Sequence, residues 1–351
     1  MSKNIRFVSL DLLRGIAALA IVVFHAMHRL APVLDPLSIC VDLFFVLSGF
    51  VLAPIFPNQK VAVKAFMLKR ALRFWPMAVT ALLVKLVLVL QQTLAGNALS
   101  DQINAVSFIG ALLLLQIIYE PSLTWIVPLW SLSAEWFSNL IAVPILLRKS
   151  RSLEFSMVFI GLILIGLGIY LNAGTNNDVA SHFGLQALGR ALAGLFIGIL
   201  LRKNLEKLSK VKLFNNLIVA SGAFFALYVL TYIFKTSASF LAALFVSPLI
   251  VAIALKNDEV INSKFNRFAK QSGNLSFGIY VWHVVIINII ARTLLILGLD
   301  TKSSLQNASL LLVLTIPITI LATLATQRFV EKPVHRYFAG RGQNKVASAS
   351  H

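Results

Sequence analysis

The sequence predicts an all-α, polytopic integral membrane protein of about ten transmembrane helices, with both termini cytoplasmic. Three observations predict it. First, 58% of the 351 residues are hydrophobic, only 13% are charged, and the mean hydropathy is +0.86. A soluble domain carries about 25% charged residues, so this chain as a whole is not one. Second, apolar runs of about 20 residues, long enough to cross a ~30 Å hydrocarbon core, recur from end to end. Third, the basic residues segregate to one side of those runs.

The first span is residues 8–27. Lys3 and Arg6 precede it as they would precede a signal peptide. Asp11 and Arg14 interrupt the run, however, and "HRLAPVLDP" follows where a small-residue cleavage site would stand. A retained span is therefore expected. Further spans are expected at 37–56, 75–93, 128–147, 154–171, 184–201, 214–234, 238–255, 276–297 and 307–327. The run 105–118 is too short to cross and has polar flanks, which predicts a re-entrant or interfacial helix. Pro144, Pro248 and Pro317 fall inside spans, where kinks are expected.

With the N-terminus inside, 24 of the 31 Lys and Arg lie on inner segments. Outer segments hold Arg29, Lys235 and Lys302, and the spans hold Arg14, Lys85, Arg190 and Arg292. The positive-inside rule requires this asymmetry. If 105–118 crossed, "LLRKSR" and the basic loop 202–212 would lie outside. The net charge of +18 is then explained by topology and contact with anionic membrane lipids, and no nucleic-acid partner is expected. Residues 1–337 read as one transmembrane domain, and the tail 338–351, rich in Gly, Ser, Asn and Gln, as disordered. The lone cysteine, Cys40, excludes an intrachain disulfide.

The polar residues inside spans carry the functional signal, because each is costly there. Arg14 and His25 are 11 residues apart, which is three helical turns plus ~20°, so they share one face ~16 Å apart along the axis. A snorkelling arginine and an interfacial histidine are the plain reading, but a lipid-facing helix has no reason to align them. Asp42, in "CVDLFFVLSGF", lies near the depth expected for His25. It can orient an imidazole as in a His–Asp relay, or pair with Arg29 or Arg190. Ser48 and Gly49 permit close helix packing. In "KAFMLKRALRFWP", Arg70 and Arg73 share one face of a short loop helix. Two guanidiniums so placed suit a phosphate or diphosphate, and equally fit ordinary inside-positive charge. In "VPLWSLSAEWF", Ser131 and Glu135 are four apart and flanked by Trp130 and Trp136. A carboxylate among aromatics can hold a sugar hydroxyl; an aromatic belt with a water-facing Glu is the alternative. His283, expected in the inner third of its span, reads as a packed histidine. The expected pattern has two layers: His25, Asp42, Glu135 and Arg190 in the outer half, and Arg14, Arg70 and Arg73 in the inner half.

The segments "LDLLRGIAALAIVVFH", "VDLFFVLSGFVL", "KRALRFWP", "LWSLSAEW", "SFGIYVWH" and "FVEKPVHRY" run from the first span to the last. Together they resemble the integral-membrane acyltransferase family 3, whose members O-acylate cell-surface glycans and related molecules. The resemblance implies that Arg14 and His25 form the first-span motif, with the histidine essential for transfer. It implies that Arg70 and Arg73 form the Arg-x-x-Arg motif linked to the acyl-CoA donor, and that Ser131 and Glu135 form the Ser-x-x-x-Glu motif. Two departures stand out: Leu12 where Gly is common, and "EWFSN" where "EEQFY" is common. No fused SGNH-type hydrolase domain is expected.

The sequence is thus read as a transmembrane O-acyltransferase over residues 1–337. Acyl-CoA, with acetyl-CoA as the donor, is expected at Arg14, Arg70 and Arg73. His25 is the expected general base, assisted by Asp42 or Glu135. Ser131, Trp130 and Arg190 are the expected contacts to a surface polysaccharide or lipid-linked glycan. No metal is expected, and the bacterial inner membrane is the expected location. The rival is a transporter or flippase of a lipid-linked sugar or acyl carrier, which would use the same basic loops and buried charges without chemistry.

Overall fold

The computed structural model describes residues 6–55, 63–96, 100–171, 183–210, 229 and 239–338. Among them every regular element is helical. In chain order these are α1 Val8–Met27, α2 Cys40–Leu52, α3 Val63–Leu94, α4 Ala105–Leu112, α5 Leu129–Leu147 and α6 Arg151–Leu171. There follow α7 Gly184–Lys203, α8 Leu205–Ser209, α9 Ser239–Lys256, α10 Asp258–Ile296 and α11 Leu305–Thr326. A 3₁₀ segment, Pro32–Ile39, leads into α2, and a π-helical turn, Gln327–Glu331, follows α11.

Among the described residues, eight segments are long and apolar enough to cross a membrane, from Val8–Met27 to Leu305–Phe338. They coincide with eight of the ten expected spans. A ninth, at 238–255, corresponds to α9, while 214–234 apart from residue 229 lies outside the described residues, as do residues 339–351 of the tail. The α4 helix has 8 residues and rises only ~12 Å, far short of the hydrocarbon core. It is set by a capping box: Asn104 accepts from the Ser107 backbone, and Ser107 Oγ receives the Asn104 N–H.

Two spans begin earlier than their apolar runs. The α3 helix starts at Val63, well before residue 75, and continues through Pro76, so Arg70 and Arg73 sit on the span itself rather than on a loop helix. The α10 stretch starts at Asp258, before residue 276. Its residues Asp258 and Gly273 both reach the first turns of α1, at Ser9 and Asp11. A straight helix would separate them by ~22 Å, so the stretch bends. It closes at Gly298, whose φ of 80° supports a Schellman cap: Leu299 N–H to Leu294 and Gly298 N–H to Leu295.

The most extensive packing is of α1 against α10 and of α7 against α6 and α2. The α2–α7 seam is built on bare backbone. A Cβ on Gly49 would sit 1.8 Å from the Leu195 carbonyl oxygen, and one on Gly198 2.0 Å from that of Val46. Arg190 of α7 crosses this seam to Asp42 of α2 with two bonds, Nε to Oδ1 at 3.0 Å and Nη2 to Oδ2 at 2.9 Å. On the neighbouring seam, Glu154 of α6 is buried and pairs with Lys203 of α7. Arg6 donates to Asn274, whose carbonyl accepts from Gln327. The first and last described segments therefore meet at one end of the bundle.

Candidate active site

From that end a cavity of about 330 Å³ opens between Arg14, Arg73, Asn274, Gln327, Glu331 and His335. Its size is in the range of ligand pockets. Arg14 and Arg73 also line a narrower cleft deeper in the bundle, together with Ser48, Glu135, Ser131 and Tyr280. The two spaces adjoin at both arginines, which gives a candidate path into the helices. Neither Arg14 nor Arg73 has an ion-pair or hydrogen-bond partner among the described residues.

Arg70 does not join them. It is buried, and its Nη1 lies 3.3 Å from Glu135 Oε1. Ser48 Oγ donates to the same oxygen at 2.5 Å. The i, i+3 spacing thus splits the two α3 arginines between a carboxylate and the cleft. Of the three arginines expected at the donor, Arg14 and Arg73 face the path and Arg70 faces Glu135. This pairing moves Glu135 out of the outer layer. The early start of α3 carries Arg70 up to the depth of Glu135, where the two compensate each other.

Asp42 and Arg190 form the pair that was one of the two kinds of partner expected for Asp42. With side chains 0% and 1% exposed, they are committed to one another, and Arg190 also stacks 4.6 Å from the Trp130 ring centroid. Asp42 therefore serves Arg190 rather than His25. Trp130 and Arg190 are buried support for the seam and do not line the cleft. Ser131 does line it. Its Oγ is 2.8 Å from the Tyr280 hydroxyl, and both oxygens lie within hydrogen-bond reach of the Pro128 carbonyl, at 3.1 and 3.0 Å.

Tyr280 forms the far end of the cleft, and the histidines stand beyond it. The Tyr280 and His283 ring centroids are 5.8 Å apart. The His283 and His25 centroids are 4.9 Å apart, with His283 Nε2 3.2 Å from His25 Nδ1. Phe24 packs edge-on against His25 at 4.7 Å. This corrects the inner-third placement of His283. Because Gly273 already touches Asp11, the low start of α10 lifts His283 to the level of His25.

Tyr280 and His283 escaped the sequence reading as site residues. The available signal was Ser276, Tyr280 and His283 at i, i+4 and i+7, a polar stripe on an apolar helix. Ser276 and Tyr280 line the cleft, and His283 meets His25.

The arrangement can hold an anion at one end of the cleft, and a pair of imidazoles stands behind Tyr280 at the other. A family model described as acyltransferase domain, that of acyltransferase family 3, matches residues 7–327. No curated protein and no solved structure matches the chain.

Proposed function

The chain belongs to acyltransferase family 3 and is a membrane-embedded acyltransferase; from this premise we propose that it moves an acetyl group from cytoplasmic acetyl-CoA to a hydroxyl of an extracytoplasmic glycan or glycolipid. The path that begins at Arg14 and Arg73, which have no ion-pair partner among the described residues, and runs to Tyr280, beyond which His283 and His25 stand, supports this reading. Phosphates of the donor bind Arg14 and Arg73 through charge-assisted hydrogen bonds. The pantetheine arm is about as long as five extended residues, ~17 Å, and the axial distance from Arg14 to His25 is ~16 Å. The thioester is therefore brought to the depth of the imidazole.

His25 takes the proton of the acceptor hydroxyl as its oxygen attacks the thioester carbonyl. The carbon–sulfur bond breaks, and the thiolate leaves with the proton held by His25. The products are an ester and free CoA. Ser131 and Tyr280 lie at the end of the cleft, where they contact the acyl group or the acceptor. Bacterial inner membrane is the location that fits a cytoplasmic donor and an outer acceptor. A transporter without chemistry would not account for membership of an acyltransferase family.

The test is mass spectrometry of surface glycans from a deletion strain carrying empty vector, the wild-type gene, or His25→Ala at equal expression. Only the wild-type gene should restore an acetyl-sized ester. Equal acylation in all three strains, with altered glycan export, would establish the transporter instead.

A further inference from the structure

We propose that His283 is a positioning residue, which fixes the proton of His25 on Nδ1 and leaves the Nε2 lone pair for the substrate. The proposal rests on the acyltransferase reading for its purpose, but its geometry stands on the helices alone.

The proton assignment follows from the partners of each nitrogen. His283 is fully buried, and its Nδ1 lies 2.7 Å from the Tyr280 carbonyl oxygen and 3.2 Å from that of Ile279. Carbonyl oxygens only accept, so this nitrogen carries a proton. The neutral ring then presents a lone pair at Nε2, which faces His25 Nδ1 at 3.2 Å. His25 Nδ1 also faces the Ile21 carbonyl oxygen at 3.0 Å. Two acceptors converge on His25 Nδ1, so it is the protonated nitrogen. Its Nε2 is left as the basic atom, with no hydrogen-bond partner among the described residues.

The same contact serves the charged intermediate. Once Nε2 takes the acceptor's proton, Nδ1–H still donates to His283 Nε2. His283 gains no proton in the step. It does for His25 what a carboxylate does for the histidine of a hydrolase triad, with a neutral acceptor in place of an anion. The carboxylate that might have filled this role, Asp42, is held by Arg190. His283 is itself held in place, since Tyr280, one turn before it, is pinned by Ser131 and the Pro128 carbonyl.

The test begins without substrate. Purified protein with ¹⁵N-labelled histidine is compared as wild type, His283→Gln and His283→Leu, and two-bond ¹H–¹⁵N couplings read the tautomer of each ring. The His25 signals are assigned by their loss in His25→Asn. His25 is expected in the Nδ1–H form in the wild type and in His283→Gln, whose amide oxygen can accept in place of Nε2. In His283→Leu only the Ile21 carbonyl is left to accept from Nδ1–H, so the share of the Nε2–H form should rise above that of the wild type. A wild-type His25 in the Nε2–H form overturns the proposal even if neither variant folds, as does an unchanged Nδ1–H form in His283→Leu.

Acyl transfer supplies the second readout. His283→Leu should lower kcat by roughly 10–100-fold, as loss of an orienting partner does elsewhere. KM for the acyl donor should stay unchanged, and His283→Gln should recover most of the loss. A kcat for His283→Leu equal to wild type refutes the role. If the wild type transfers no acyl group, the functional reading fails while the tautomer spectra still decide this one.

Discussion

Replacing Gly49 with alanine tests whether the seam between α2 and α7 sets the geometry of the site. The new Cβ would stand 1.8 Å from the Leu195 carbonyl oxygen and 2.7 Å from its carbon. A carbon–oxygen contact opens to about 3.3 Å, so the helices must part there by ~1.5 Å. Leu195 presents backbone, not a flexible side-chain tip, so no rotamer change relieves the clash. If the helices swing apart at that end, Ser48 is drawn away from Glu135. If they separate evenly, the Arg190–Asp42 bonds stretch to about 4.5 Å, beyond hydrogen-bond reach. Overpacking of this kind costs about 1–3 kcal/mol, and either relief adds the loss of a buried polar contact. A total near 3 kcal/mol corresponds to a fall in Tm of roughly 4 °C for a chain of this size. The assay is thermal unfolding in detergent micelles, with Gly166→Ala as the matched control. Gly166 lies on α6 with nothing within 4 Å of its Cβ position. There alanine should be neutral or stabilise by up to about 1 kcal/mol. A Gly49→Ala melting temperature equal to that of Gly166→Ala would refute the packing account.

Three further outcomes follow from the same geometry. Arg14→Ala and Arg73→Ala should each raise KM for the acyl-CoA donor by about 10–100-fold, the value of one charge-assisted contact, and steady-state kinetics at varied donor checks this. Asp42→Asn leaves the Arg190 charge buried and should destabilise by about 3–5 kcal/mol. Adding Arg190→Met should recover much of that loss, read as expression and Tm of the single and double variants. Ser48→Ala and Glu135→Gln both act on one carboxylate oxygen. Their double variant should lose less stability than the sum of the singles by about 1 kcal/mol, measured as a double-mutant cycle by thermal unfolding.

Much of the bundle is legible in the sequence because membrane crossing imposes a length on apolar runs. The limits of α1, α5 and α7 follow closely from hydropathy. Those of α3 and α10 do not. Both continue beyond the apolar run into residues such as Lys64, Arg70, Lys264 and Arg267. Helix formation depends on backbone hydrogen bonds and tolerates charged side chains, whereas the apolar run marks only the part that meets lipid. The misplacement of His283 and Glu135 has this common cause: depth was counted from the edge of the apolar run, not from the end of the helix.

The alignment of Arg14 with His25 needed only the helical period, a property of one chain segment. Partner choice needed the third dimension. Asp42 had several readings in sequence, a relay to His25 or a pair with Arg29 or Arg190, and nothing local separates them. Close approach of α2 and α7 at Gly49 and Gly198 decides the matter by bringing Arg190 within 3.0 Å of the carboxylate. The consequence is electrostatic. Asp42, Glu135 and Glu154 are each committed to a cation, namely Arg190, Arg70 and Lys203. No carboxylate of these three is left for Arg14 or Arg73. Glu135 and Glu331 line the path beside Arg14 and Arg73, but among the described residues neither makes an ion pair with them, so two half-buried guanidiniums keep charge that a bound anion would stabilise. The fold therefore keeps the charge imbalance at the mouth of the path, where a phosphorylated donor would relieve it. At the far end, two neutral rings satisfy each other and leave one nitrogen unused.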